Sequence, residues 1–175
     1  RMEGFIVSDY AHLDADAILI GCFDDTGVEA IRCLTDAPVL GIGEAGYHSA
    51  AMVAPKFGVV TTLTRSVIGL EANLQKYGLA ARCAGVRASD VSVLALEAME
   101  PASLNAIRAQ IILSLEDDKA EAIVLGCAGM TNLVRLFSDE FQVPIIDGVT
   151  MGASMLEALH HNNLRTSKYR TYITG

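Results

Sequence analysis

An internal repeat constrains this chain more than any other feature. ADAILIGC, residues 15–22, lies over AEAIVLGC, residues 120–127. Ala15, Ala17, Ile18, Gly21 and Cys22 match Ala120, Ala122, Ile123, Gly126 and Cys127, and Asp16 matches Glu121. Each copy continues through a helical pattern into a proline-led apolar run. PVLGI, opened by Pro38, follows Cys22 at nearly the same spacing as PIIDG, opened by Pro144, follows Cys127. An apolar run, a Gly-Cys turn, a helical stretch and a second apolar run make a βαβ unit. Two such units predict two similar lobes, each with a cysteine at the carboxyl end of its first strand.

The rest of the chain alternates in the same way. Strands are expected at residues 17–20, 38–42, 57–62, 82–87, 122–125 and 143–146. Helices are expected at about 28–34, 43–53, 64–77, 101–115, 130–137 and 149–161, with residues 1–14 as the end of an earlier one. Asp24 or Asp25 is a candidate cap for the first of these helices, Pro55 a stop and Gly78 a C-cap. Pro101 suits a first helical turn. The tail after the last helix is polar and expected at the surface. Alternation of this kind predicts an α/β fold with two pseudo-symmetric, doubly wound parallel-sheet lobes and a cleft between them.

The crossovers divide the chain into a first lobe, residues 1–42 plus 148–175, and a second lobe, residues 43–147. Crossings at residues 40–43 and 146–148 would act as a hinge. The second copy is preceded by two βα units that begin at Phe57, whereas the first copy opens at Ala15 with no such units ahead of it. The first lobe is therefore expected to lack its N-terminal part, roughly 50 residues, through truncation or disorder.

Composition narrows the function. The chain is 51% apolar and 19% charged, as suits a core-rich globular protein. A net charge of −8 argues against nucleic acid or an anionic membrane surface as partner. No apolar run is long enough to span a membrane. The four cysteines, Cys22, Cys33, Cys83 and Cys127, lack zinc-site spacing and read as reduced cytoplasmic thiols. Small-molecule chemistry remains, and a homo-oligomer is compatible with it.

Pseudo-twofold symmetry would bring Cys22 and Cys127 to opposite sides of one bound molecule. Two such thiols suit removal of a proton from one face of a carbon and its return to the other. Helix starts beside them would lower their pKa from the usual ~8.5 towards neutrality and offer N–H groups to a developing oxyanion. No cofactor motif is visible, and none is needed. Free cysteine is usually a small core residue. That reading holds for Cys33, at helical spacing with Ile31 and Leu34, and for Cys83, within a strand. The repeat argues against it for Cys22 and Cys127. His48 reads as a satisfied buried histidine, His160 and His161 as helix-end residues, Glu44 as a helix cap and Asp147 as a hinge or cap.

The stretches GCF at 21–23, PVLGIGEA at 38–45, VVTTL at 59–63, GVR at 85–87, AIVLGCAGM at 122–130, IIDGV at 145–149 and TSK at 166–168 resemble the aspartate/glutamate racemase superfamily, most of all its hydantoin and allantoin racemase branch. The resemblance covers nearly the whole chain. It implies cofactor-independent, two-base racemisation by Cys22 and Cys127 at an interlobe cleft. It also implies substrate contacts from Thr61, Thr62, Ala128 and Gly129, and Phe23 either lines the pocket or simply packs. Capping of the next helix by Thr62 or Thr64 is the alternative role for those hydroxyls. Glutamate racemases carry Thr-His after the second cysteine. Ala128-Gly129 stands there instead, which favours a small cyclic amide such as a 5-substituted hydantoin or allantoin over a free amino acid. An amino-acid racemase and a two-lobed clamp that binds without reacting are the competing readings; a disulfide switch between Cys22 and Cys127 is a third.

Overall fold

A computed structural model describes residues 15–173; the helix end expected in residues 1–14 lies outside them. The two copies of the repeat fold alike, strand for strand. In the first, β1 (Ile18–Ile20) pairs in parallel with β2 (Val39–Gly41), Ile18 opposite Val39. In the second, β5 (Ala122–Leu125) pairs in parallel with β6 (Ile145–Asp147), Ile123 opposite Ile145. The matching extends to single hydrogen bonds. Ile18 N–H donates to the Pro38 carbonyl at 2.9 Å, and Ile123 N–H donates to the Pro144 carbonyl at 2.9 Å. Each proline, unable to donate, opens its strand as an acceptor.

β1 and β2 form a two-stranded sheet. The second sheet adds β3 (Phe57–Thr61) and β4 (Cys83–Ala88), all parallel, in the order β4-β3-β5-β6. The crossover helices are α1 (Val28–Leu34), α2 (Ile42–Val53), α3 (Val67–Lys76), α4 (Val93–Glu97), α5 (Pro101–Glu116), α6 (Val134–Phe141) and α7 (Gly148–His161). The sequence pattern does not predict α4. It is short, and its Ser92 cap accepts from Ala95 N–H at 3.2 Å.

The four-stranded sheet is buried on both faces, as parallel sheets are. Phe57, Val59, Ala122, Val124 and Ile146 pack with Tyr47 and Ala50 of α2 and with Leu70 and Leu74 of α3. Val60, Ile123, Leu125 and Ile145 face the other way, onto Ile107, Ile111, Met130, Leu133 and Phe137. Each large side chain so buried contributes about 1.5–3 kcal/mol. A smaller cluster, Ile18, Val28, Ile31 and Val39, holds the first sheet to α1.

α2 and α7 follow equivalent strands and pack on each other at their first turns. A Cβ on Gly148 would stand 1.8 Å from the Ile42 carbonyl oxygen, so only glycine allows the contact. A Cβ on Gly152, one turn on, would stand 2.5 Å from Leu19 Cδ1 of β1. The tail is largely exposed but pinned. Thr166 Oγ1 donates to the Ala37 carbonyl at 2.7 Å, Lys168 Nζ to the Arg32 carbonyl at 2.6 Å, and Tyr172 hydroxyl to Glu29 at 2.7 Å. The Lys168 bond satisfies a carbonyl in the last turn of α1, where a cation is favoured.

Candidate active site

Cys127 is held by the strands beneath it. Gly126 N–H donates to the Val60 carbonyl at 2.8 Å, and buried Thr61 Oγ1 donates to the Gly126 carbonyl at 3.0 Å. Half-buried Cys127 is extended and serves as N-cap residue of a 3-10 helix, Ala128–Leu133. The first N–H groups of that helix have no carbonyl behind them to bond. Ala128 and Gly129 thus present donors beside the sulfur. Leu96 and Val93 form an apolar wall there, since a Cβ on Gly129 would lie 3.6 Å from Leu96 Cδ1, 3.7 Å from Val93 Cγ1 and 3.8 Å from Cys127 Sγ.

Cys22 follows β1 in the same way but enters a different turn. Its carbonyl accepts from Asp25 N–H at 3.0 Å, and α1 starts only at Val28 behind Gly27, which has φ 90°. The exposed Cys22 therefore does not sit at a helix start, and its thiol is not lowered as expected. Although the residue is exposed, partial desolvation of its sulfur by the surrounding chain raises its pKa, the Asp24 backbone N–H opposes this, and charge on Asp24, Asp25 and Cys127 raises it further.

Asp24 and Asp25 do not cap α1. Asp25, 6% exposed, instead accepts from Gly43 N–H at 2.9 Å and Glu44 N–H at 2.7 Å, at the N-terminus of α2, and from Tyr77 hydroxyl at 2.8 Å. Burial pushes its carboxyl up to about 6 against the pull of these donors. Glu44 is not the cap expected of it; its carboxylate pairs with Arg32 at 2.7 Å. Sequence reasoning missed the Asp25 link, for which the only local trace is the run Asp24-Asp25-Thr26-Gly27.

Phe23 is drawn into the core, the packing role weighed beside a pocket-lining one. It is 5% exposed and packs edge-on against Tyr47, with ring centroids 5.4 Å apart. Thr61 and Thr62 are both buried at the end of β3. Neither Thr62 nor Thr64 caps the next helical turn, which Leu63 enters without a side-chain bond, and Thr64 bonds Asp90 instead. Asp147 does cap its helix, accepting from Thr150 N–H at 2.8 Å. Half-buried His48 lies 6.3 Å, ring to ring, from Tyr77, while His160 and His161 stand in the last turn of α7. Cys33 is half-buried. So is Cys83, whose thiol burial pushes up to about 11. Among the described residues no His, Cys, Asp and Glu cluster is arranged to hold a metal, and no helix is long and apolar enough to cross a membrane.

Residues 6–156 match the Asp/Glu/hydantoin racemase family. The chain belongs to that family. Its curated relatives include a hydantoin racemase of Rhizobium meliloti, 43% identical over 90% of this chain and 65% of the relative. The chain thus spans just under two thirds of that protein's length. Two solved allantoin racemases share the fold of this family member closely. That of Klebsiella pneumoniae has a TM-score of 0.90 at 37% identity, covering 99% of this chain and 71% of the other. That of Pseudomonas fluorescens has a TM-score of 0.92 at 38% identity, covering 97% and 73%.

Proposed function

We propose that this chain is a cofactor-independent racemase of a small cyclic amide, a 5-substituted hydantoin or allantoin, with Cys22 and Cys127 as its two bases. The observation that carries the reading is the equivalence of the two cysteines. Each follows the first strand of an identically registered βαβ unit. Relatives and structural neighbours named as hydantoin and allantoin racemases support the substrate class.

In this reading one cysteine, as thiolate, takes the proton from the stereogenic carbon of the ring. The C–H electron pair moves into the neighbouring carbonyl to give an enolate. N–H groups of Ala128 and Gly129 stabilise that oxygen. The opposite thiol then protonates the other face of the carbon, and the two cysteines exchange protonation states. Thr61 orients the Cys127 turn through the Gly126 carbonyl. Residues 1–42 with 148–175 would form one lobe and residues 43–147 the other, with the crossings at Gly41 and Asp147 as the hinge. The four free cysteines suit a reducing, cytoplasmic setting.

The test follows L-5-alkylhydantoins, allantoin and L-aspartate in parallel, by polarimetry and by proton NMR in heavy water. Loss of optical rotation with deuterium entering the stereogenic carbon of a cyclic amide is expected. Binding with neither change would establish a clamp, and turnover of aspartate alone would displace the cyclic substrate.

A further inference from the structure

The buried carboxylate three residues beyond Cys22 is not used by the chemistry above. We propose that Asp25 is a positioning residue for Cys22, tying the turn after β1 to α2 and α3 and so fixing where the Cys22 sulfur stands. Only the kinetic part of the proposal rests on the functional reading above.

Three observations carry it. First, the carboxylate is fully engaged, by donors 18, 19 and 52 residues away: Gly43 N–H, Glu44 N–H and Tyr77 hydroxyl. Second, the slot is built for it. A Cβ on Gly41 would stand 1.9 Å from Asp25 Oδ1, and one on Gly43 would stand 2.7 Å from Asp25 Oδ2. Third, the turn is bound tightly around this residue. Asp25 adopts the left-handed conformation, φ 54°, a turn conformation that aspartate tolerates better than most non-glycine residues. Its N–H closes the turn on the Cys22 carbonyl, and Asn73 of α3 donates to the Asp24 carbonyl at 2.7 Å.

Desolvation raises the Cys22 thiol most, and the charge of this carboxylate, with that of Asp24, adds to it. Around Asp25 stand Asp24 in the turn, Glu44 and Tyr47 on α2 and Tyr77 just after α3. Arg32 already neutralises Glu44.

Trypsin places the four cysteines in four different peptides, residues 2–32, 33–56, 83–87 and 120–135. Iodoacetamide labelling across pH, read peptide by peptide, therefore reports each thiol separately. In Asp25→Asn the midpoint for Cys22 should fall, with alkylation near neutral pH faster by about threefold as a neighbouring negative charge is lost. The midpoint for Cys127 should stay. On whichever cyclic amide the wild type turns over, kcat should fall at least tenfold with KM within threefold, because the sulfur is misplaced while binding is retained. If Asp25→Asn yields little folded chain, Tyr77→Phe removes one donor and keeps the charge. It should lower kcat by threefold or more with KM unchanged. Equal shifts at Cys22 and Cys127, no shift at Cys22, or an unaltered kcat would overturn the proposal. A wild type without turnover refutes the functional reading instead, and the labelling then decides the Asp25–Cys22 link.

Discussion

Gly148→Ala tests the contact on which the relation of the two sheets depends. Gly148 opens α7 and lies against Ile42, which opens α2. The added Cβ would meet the Ile42 carbonyl oxygen at 1.8 Å, its carbonyl carbon at 2.6 Å and its Cα at 3.0 Å. All three are backbone atoms, so no rotamer change relieves the clash. Reaching ordinary contact requires the helix ends to part by roughly 1.5 Å. Overpacking of this kind costs about 1–3 kcal/mol, and backbone partners put it at the upper end. Higher helix propensity returns well under about 1 kcal/mol at a first-turn position. A net loss of about 2 kcal/mol should lower Tm by roughly 4–8 °C in a chain of this size. Gly69→Ala is the matched control. It lies inside α3 with nothing within 4 Å of a Cβ, so it should raise Tm by about 2 °C. Thermal unfolding followed by circular dichroism reads both. A displacement above about 1 Å between the cysteine-bearing turns should also lower kcat/KM by about 10²-fold in Gly148→Ala. An unchanged or raised Tm in that variant would refute the packing argument.

Cys22→Ala and Cys127→Ala should each abolish racemisation and keep the folded circular dichroism spectrum; full turnover by either variant removes the two-base mechanism. Thr61→Val should cost about 1–3 kcal/mol in urea unfolding, because it strips the buried Gly126 carbonyl of its hydroxyl donor, and turnover should fall with it. Cys33→Ala should cost on the order of 1 kcal/mol and leave turnover within twofold; lost turnover at an unchanged Tm would count against its packing role. Asp25 makes the pH dependence run against the usual carboxylate sense. Its folded pKa, about 6, lies above the unfolded value, so the folded state binds the extra proton and stability from this group falls as pH rises from about 4 to 6. The two-unit gap sets a ceiling of about 3 kcal/mol. Urea unfolding of wild type and Asp25→Asn at pH 4.5 and 7.5 should show the wild-type advantage shrinking at the higher pH, and a growing advantage would reverse the sign.

The repeat was legible because it is written in local pattern. Apolar β-branched runs, a proline opening the return strand and glycine before each cysteine all act within a few residues of where they stand. From them follow the parallel pairing and the shared register of Ile18 with Val39 and of Ile123 with Ile145. The bonds that hold the cysteines are not local. Thr61 reaches Gly126 across 65 residues, and Asp25 reaches Tyr77 across 52. No periodicity encodes such pairs, because they exist only once the crossovers have brought the strand ends together. The repeat also misleads at its last residue. After Cys127 come two small residues, and a 3-10 helix starts at once, with free N–H groups beside the sulfur. After Cys22 comes Phe23, whose ring is drawn into the core against Tyr47, and the next helix waits until Val28. Desolvation, with the charge of two acidic side chains in that longer turn added to it, raises the Cys22 thiol. Equivalent strands therefore deliver the two cysteines to equivalent places in their units, while the turns that follow give them different surroundings: a 3-10 helix start at Cys127 and a longer acidic turn at Cys22.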